Sequence, residues 1–218
     1  MRYKKLTAII LKKQNYKEAD QIVTAFTEEA GKVRFLAKSI RHSKSKLVYH
    51  LSDLTLAEIE ITGRNLPIVI SAHGHKTFLG IKEDLTKTAL SLYCTELILK
   101  LTADEQSNPA AFGLLLDFFN QLETSIDPAR YYHLLGVFSL NLLATLGFNI
   151  EYASSSFSIP EPIREELKKV NSVSLKDIHR VDFSQALASP LHQTINRFVE
   201  FVLERNLKSE AFLASVRQ

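Results

Sequence analysis

GKVRFLAKSIRHSKSKL, residues Gly31–Leu47, carries Lys32, Arg34, Lys38, Arg41, Lys44 and Lys46 and no acidic side chain. From Lys32 to Lys38 the residues alternate: Val33, Phe35 and Ala37 make an apolar face, while Lys32, Arg34 and Lys38 share the other face with Leu36. A period of two is that of a strand with one side in a core. Ser39, Arg41, His42, Ser43 and Ser45 follow, small or polar residues expected in a mobile loop that keeps its cations in water. Strand and loop would present one continuous positive surface. The plain alternative is that these lysines guard a strand edge and keep the protein soluble.

Strands are expected on both sides of this stretch. Residues 4–13 (KKLTAIILKK) and 20–28 (DQIVTAFTE) are rich in Ile, Val, Thr and Phe and flank a turn near Asn15. Glu29, Ala30 and Gly31 would hairpin the second strand into the basic one, with glycine where a positive φ is needed. A fourth strand covers Leu54–Ile61, with a bulge expected near Ala57, and Gly63, Arg64 and Asn65 turn the chain into LPIVISA. Five short strands without helical periodicity between most of them predict a small closed barrel of the oligonucleotide-binding kind.

After Thr77 the period changes. Leu90, Tyr93, Leu97 and Leu101 recur at helical spacing, widened by Ile81, Leu85, Ala89 and Leu92 into one long helix. Asn108, Asp127 and Ser189 each precede a proline, the pattern of an N-cap before the first helical residue, and Gly147 closes the second of those helices. The stretch 149–160 (NIEYASSSFSIP) has loop composition, and a short helix is expected near Pro162–Lys169. The fold class is therefore α+β: a barrel over residues 1–79 followed by an all-helical domain over 80–218.

The net charge of +3 divides unevenly, +7 over residues 1–80 and −4 over 81–218. A basic half meets a polyanion more readily than an acidic one. The surplus lies in the same half as the acid-free stretch, which weighs against a role in solubility alone. No apolar run reaches the roughly 20 residues that span a bilayer, and the start MRYKKLTAIILKKQ has no signal-peptide cleavage pattern. A cytoplasmic protein is the expectation.

The chemistry of most enzymes finds no motif here. Neither the P-loop spacing nor G-x-G-x-x-G occurs, so ATP chemistry is not expected, and no G-x-S-x-G elbow surrounds any serine. A hydrolase in the helical half would require a converging polar pocket. Cys94 stands alone, which excludes an internal disulfide, and is expected as a small core residue. His73 and His75 flank Gly74, but two imidazoles without a third ligand do not close a zinc site, so no metal and no cofactor are expected. Tyr3, Tyr16, Tyr49 and His42 are the aromatic side chains available to stack on bases.

NYKEADQIVTAFTEEAGK (Asn15–Lys32) with the basic stretch resembles the N-terminal region of the RecO family of bacterial recombination mediators. LLATLGF (Leu142–Phe148) and LKSEAFL (Leu207–Leu213) are similar to later segments of that family, in the same order. The resemblance implies an oligonucleotide-binding (OB) barrel and a helical domain. It also implies binding of single- and double-stranded DNA, ATP-independent strand annealing, and work with RecR to place RecA on DNA coated by single-strand-binding protein, in association with the nucleoid. Carried onto this chain, Lys38, Arg41, Lys44 and Lys46 would contact phosphates, with Lys32 and Arg34 beside them. Arg130 and Lys208 would rim a pocket for the acidic tail of single-strand-binding protein. Many family members insert a four-cysteine zinc module after the segment matching LLATLGF; here NIEYASSSFSIP stands in its place without cysteine. An RNA-binding or translation-associated module is the alternative that the same barrel would serve.

Overall fold

The computed structural model describes residues 3–150 and 159–216. Five strands, β1 (Tyr3–Tyr16), β2 (Asp20–Thr27), β3 (Gly31–Ala37), β4 (Thr55–Thr62) and β5 (Ile68–Thr77), form a closed barrel in the order β1-β2-β3-β5-β4. Closure depends on the length of β1, whose first half pairs with β4 and whose second half pairs with β2, both antiparallel. The β3–β5 contact is the parallel one, centred on Leu36 and Ile68. That strand order and polarity are those of an oligonucleotide-binding barrel.

The alternation in β3 is realised residue by residue. Val33, Phe35 and Ala37 are buried in the barrel core with Leu6, Ile10, Val23, Ala57, Ile59 and Ile61, while Arg34 and Lys38 face out. Gly31 sits at φ +65°, and a Cβ there would collide with the Gln106 carbonyl. The hairpin therefore needs glycine for both its backbone and its neighbour. A one-turn helix, α1 (Leu47–His50), lies between β3 and β4, and the following Leu51 is buried in the barrel.

Three details differ from the sequence expectation. β1 runs through Asn15, which pairs with Gln21, so the turn falls at Lys17, at φ 54°. In β4 the inward phase does not shift: Thr55, Ala57, Ile59 and Ile61 are all buried. The register does slip at Leu56/Ala57, but the extra residue is on β5, because Leu56 opposes Lys76 and Ala57 opposes Gly74, leaving His75 unpaired. Leu54 is buried from just outside the strand, at φ 54°, and donates its N–H to the Ile10 carbonyl at 3.0 Å.

The chain groups into two compact units: residues up to Phe78 with Thr102–Phe112, and Leu79–Leu101 with the residues from Gly113 on. The second unit is helical, with α2 (Leu79–Lys82), α3 (Leu85–Leu101), the greater part of α4 (Pro109–Thr124), α5 (Tyr131–Thr145), α6 (Glu161–Ser172), α7 (Gln185–Leu203) and α8 (Lys208–Val216). The single helix expected after Thr77 is broken, because Asp84 Oδ1 accepts the Lys87 N–H at 2.9 Å and starts α3 anew. Leu85 and Leu92 consequently lie outside the core, whereas Ala89, Leu90, Tyr93, Cys94 and Leu97 are fully buried. Burial also pushes the Cys94 thiol up.

Asn108 and Asp127 cap as expected, accepting the N–H groups of Ala111 and Ala129 at 3.0 Å. Gly147, at φ +88°, ends α5: its N–H reaches the Ala144 carbonyl at 3.0 Å, and that of Phe148 reaches Leu143 at 2.9 Å, a Schellman closure. Ser189 is not a cap. α7 starts at Gln185 with Ser184 as its N-cap, and Pro190 falls inside the helix, where it removes one backbone hydrogen bond. Of the expected loop 149–160, which stands where the family's zinc module would be inserted, residues 151–158 lie outside the described ones.

Candidate nucleic-acid interface

The six cations of the opening stretch do not behave alike. Arg34 stands on the outer face of β3 opposite Thr24, and Lys38, Arg41, Lys44 and Lys46 follow along the turns that lead to α1, all exposed. These turns are not loose. Ser39, at φ 53°, donates its N–H to Asp20 Oδ1 at 2.8 Å, Arg41 N donates to the Ala19 carbonyl at 3.0 Å, and Ile40 is buried in the barrel core. The Arg41 guanidinium donates once to the Glu18 carbonyl at 2.8 Å, leaving most of its fork outward. The expected mobile loop is thus pinned at its first half, which holds Lys38 and Arg41 in place beside the strand.

Lys32 is placed differently. Its side chain is 12% exposed, and its Nζ lies 3.1 Å from Asp104 Oδ1 and donates to the Thr102 carbonyl at 2.9 Å. Asp104 also bridges to the Lys32 backbone, and Glu105 N donates to the Lys32 carbonyl at 2.9 Å. The charge of Lys32 is spent within the fold. Lys5 and Lys13 are likewise matched, by Glu58 at 2.9 Å and Asp53 at 3.8 Å. Arg34, Lys38, Arg41, Lys44 and Lys46 have no carboxylate partner among the described residues, so their field is left to solvent and to a polyanion.

Around this surface, Tyr49 is 79% exposed on α1, three residues past Lys46, and His42 is exposed within the turns. Tyr16 lies 5.5 Å from Lys17 Nζ. Tyr3 is exposed at the start of β1. His73 and His75 are within β5, with ring centroids 5.3 Å apart. No group of three metal-ligating side chains is assembled among the described residues.

In the helical unit, Arg130 ends a short 3-10 turn (Pro128–Arg130), with Nε 3.3 Å from Asp127 Oδ2 and Nη1 donating to the Ile178 carbonyl. Lys208 begins α8, where its N–H and those of Ser209 are held by Glu96 of α3 at 3.1 and 2.7 Å. Arg130 and Lys208 share no partner among the described residues. LKSEAFL is therefore a docking motif for its own helix: Glu96 caps it, and Leu207 and Leu213 are buried. Nothing in the sequence near Glu96 marks it as that cap. A groove of about 630 Å³ is lined by Phe148, Phe198 and Phe201 with Glu200 and Glu204, and it holds neither a nucleophilic hydroxyl or thiol nor a histidine. The converging polar pocket that a hydrolase would need is not formed there.

A closed barrel of this order, carrying an acid-free row of exposed cations and continuing into a helical unit, is an oligonucleotide-binding-type module. The family model described as recombination protein O N terminal matches residues 1–78, and the one described as recombination protein O C terminal matches residues 82–161. The chain belongs to the recombination protein O (RecO) family. It is 28% identical over 245 aligned residues to the DNA repair protein RecO of Dehalococcoides mccartyi (strain CBDB1), covering 98% of this chain and 96% of that protein. The DNA repair protein RecO of Streptococcus suis (strain 05ZYH33) is 30% identical over 151 residues, 68% of this chain and 56% of the relative. That of Gloeothece citriformis is 29% identical over 208 residues, 95% and 71%. Membership supports a role in DNA repair and recombination. No helix among the described residues is long and apolar enough to cross a membrane.

Proposed function

We propose that this protein is a recombination mediator that binds single- and double-stranded DNA without sequence preference and anneals complementary strands without ATP. The observation that carries this reading is the contrast between matched and unmatched cations: Lys5, Lys13 and Lys32 are neutralised by acids, while Arg34, Lys38, Arg41, Lys44 and Lys46 are not. Annealing needs no reacting side chain. Two strands repel through their phosphates, and a row of cations lowers that repulsion while concentrating both strands on one surface. Readout of sequence requires a helix or ribbon in a groove with bidentate donors, and the cation row lies on a strand face and turns instead.

In its finer form the reading has the protein work with RecR to load RecA onto DNA coated by single-strand-binding protein, whose acidic tail docks on the helical unit near Arg130 and Lys208; family membership supports the recombination role on which this rests. The core of this reading is tested by annealing of two complementary oligonucleotides in the absence of ATP. Replacement of Arg34, Lys38, Arg41, Lys44 and Lys46 by alanine should abolish acceleration at moderate salt. Undiminished annealing by a folded variant would place the DNA surface elsewhere.

A further inference from the structure

The basic surface ends on an imidazole row. Lys46 precedes α1 and His50 is its last residue, four positions on, a spacing that sets the two side chains on one side of the helical turn. His50 Nδ1 accepts the Gly74 N–H at 3.1 Å, which seats the ring against β5 and leaves Nε2 as the nitrogen that can donate. A Cβ on residue 74 would lie 3.4 Å from that nitrogen, at ordinary contact distance, so the ring packs closely over Gly74. The His73 ring follows at 5.9 Å from His50, tilted by 35°, and His75 at 5.3 Å from His73, nearly perpendicular. His73 and His75 stand two positions apart on β5, so strand alternation puts them on one face, and His75 is also the residue left unpaired by the register slip opposite Leu56/Ala57.

Such a row is ill explained by packing, since His73 and His75 are exposed, and it assembles no metal site among the described residues. A perpendicular pair presents the face of one ring and the edge of the other. A flat base can lie on the face while an N–H from the neighbouring ring donates to the base edge. The adjoining cations supply what single-strand binding needs as well, an electrostatic track for the backbone.

We propose that His50, His73 and His75 form a base-contacting platform for single-stranded DNA, continuing the phosphate track of Lys44 and Lys46 onto β5. The proposal rests on the reading of that cation row as a DNA surface. The experiment compares the full-length protein on two probes of equal length, an oligothymidylate and a fully abasic strand, across a salt titration. Changing His73 and His75 together to alanine should weaken oligothymidylate binding roughly five- to tenfold. The abasic strand should change by less than about twofold, with the salt slope unaltered. His73→Phe with His75→Phe keeps the ring faces and should restore most of the affinity. His50 is left untouched because its bond to Gly74 is structural, and the melting temperature of each variant reports folding.

Equal loss on both probes would make the histidines phosphate contacts or fold elements and overturn the platform, as would no loss on either. Should the alanine pair melt early, the phenylalanine pair still decides: affinity for oligothymidylate within about twofold of wild type supports stacking, and a loss of about fivefold or more excludes it. Failure of the underlying reading looks different, since replacing Arg34, Lys38, Arg41, Lys44 and Lys46 by alanine would then leave affinity for the abasic strand and its salt slope unchanged.

Discussion

Lys32 Nζ and Asp104 Oδ1, 72 positions apart in the chain, meet at 3.1 Å and tie the Thr102–Phe112 segment to β3. The lysine also donates to the Thr102 carbonyl, and Ser107 Oγ donates to the Glu28 carbonyl at 2.9 Å, so the segment is fastened at both edges of the β2–β3 hairpin. Lys32→Ala should cost about 1 kcal/mol, most of it from the carbonyl bond, because the Asp104 side chain is largely exposed. Chemical denaturation reads that loss. The salt slope for single-stranded DNA should stay at its wild-type value, and a fall of about 0.7 would instead return Lys32 to the phosphate surface.

The five cations of the Gly31–Leu47 stretch without a carboxylate partner among the described residues predict the opposite pattern. Each phosphate contact releases counterions, so Lys38→Ala, Lys44→Ala or Lys46→Ala should each lower the single-strand salt slope by roughly 0.7 and leave the melting temperature within error. Arg41→Ala should lower the slope and also soften the turn, since it loses its bond to the Glu18 carbonyl. Fluorescence anisotropy across a salt series separates these cases. Unchanged slopes in the three lysine variants would favour the view that they serve solubility.

Glu96 carries a pH dependence whose sign follows from its surroundings. Burial opposes its ionisation, but Lys100, Ser209 and Lys208 outweigh that and bring its carboxyl from the ordinary 4.5 down to about 2. A carboxyl lowered in the folded state contributes stability that is fully present above its unfolded value and is lost as pH falls from about 4.5 towards 2. Glu96→Gln should therefore destabilise by about 1–2 kcal/mol near neutral pH, the range of a lost helix cap. The gap between wild type and variant should close as the pH falls through that window. Denaturation at several pH values checks it, and a gap that stays constant to pH 2 would contradict the assignment.

A peptide copying the acidic tail of single-strand-binding protein tests Arg130 and Lys208 separately. Arg130 is already engaged with Asp127 and the Ile178 carbonyl, whereas the Lys208 side chain is exposed at the start of α8. Lys208→Ala should thus weaken the peptide without altering stability, and Arg130→Ala should do both. Titration calorimetry with the tail peptide provides the measure. Unaltered affinity in the double variant would remove both residues from the pocket.

Strand content, the inward face of β3 and the caps at Asn108 and Asp127 were legible because each is a short-range matter: side-chain alternation and the local satisfaction of N–H groups. Ser189-Pro190 misled for the same reason. A cap-and-proline pair signals a helix start, yet here the helix begins five residues before Pro190, and Glu166, distant in sequence, holds the Ser184 N–H at 2.7 Å. The bulge near Ala57 carries its extra residue on β5 and not on β4, since a register slip belongs to a pair of strands and the pattern of one strand does not say which of them holds the extra residue.

The sequence by itself determined the barrel's inner and outer faces, the helical second half and the position of an acid-free run of cations, because burial periodicity and charge are properties of neighbours in the chain. Only the tertiary structure decided which of those cations remain available. Asp104 reaches Lys32 from across 72 positions, Asp20 and Ala19 pin the turn that carries Lys38 and Arg41, and Gly74 seats His50 beside His73 and His75. Whether a charge is matched depends on what lies within a few ångströms of it, and chain closure over such separations leaves no mark on local composition.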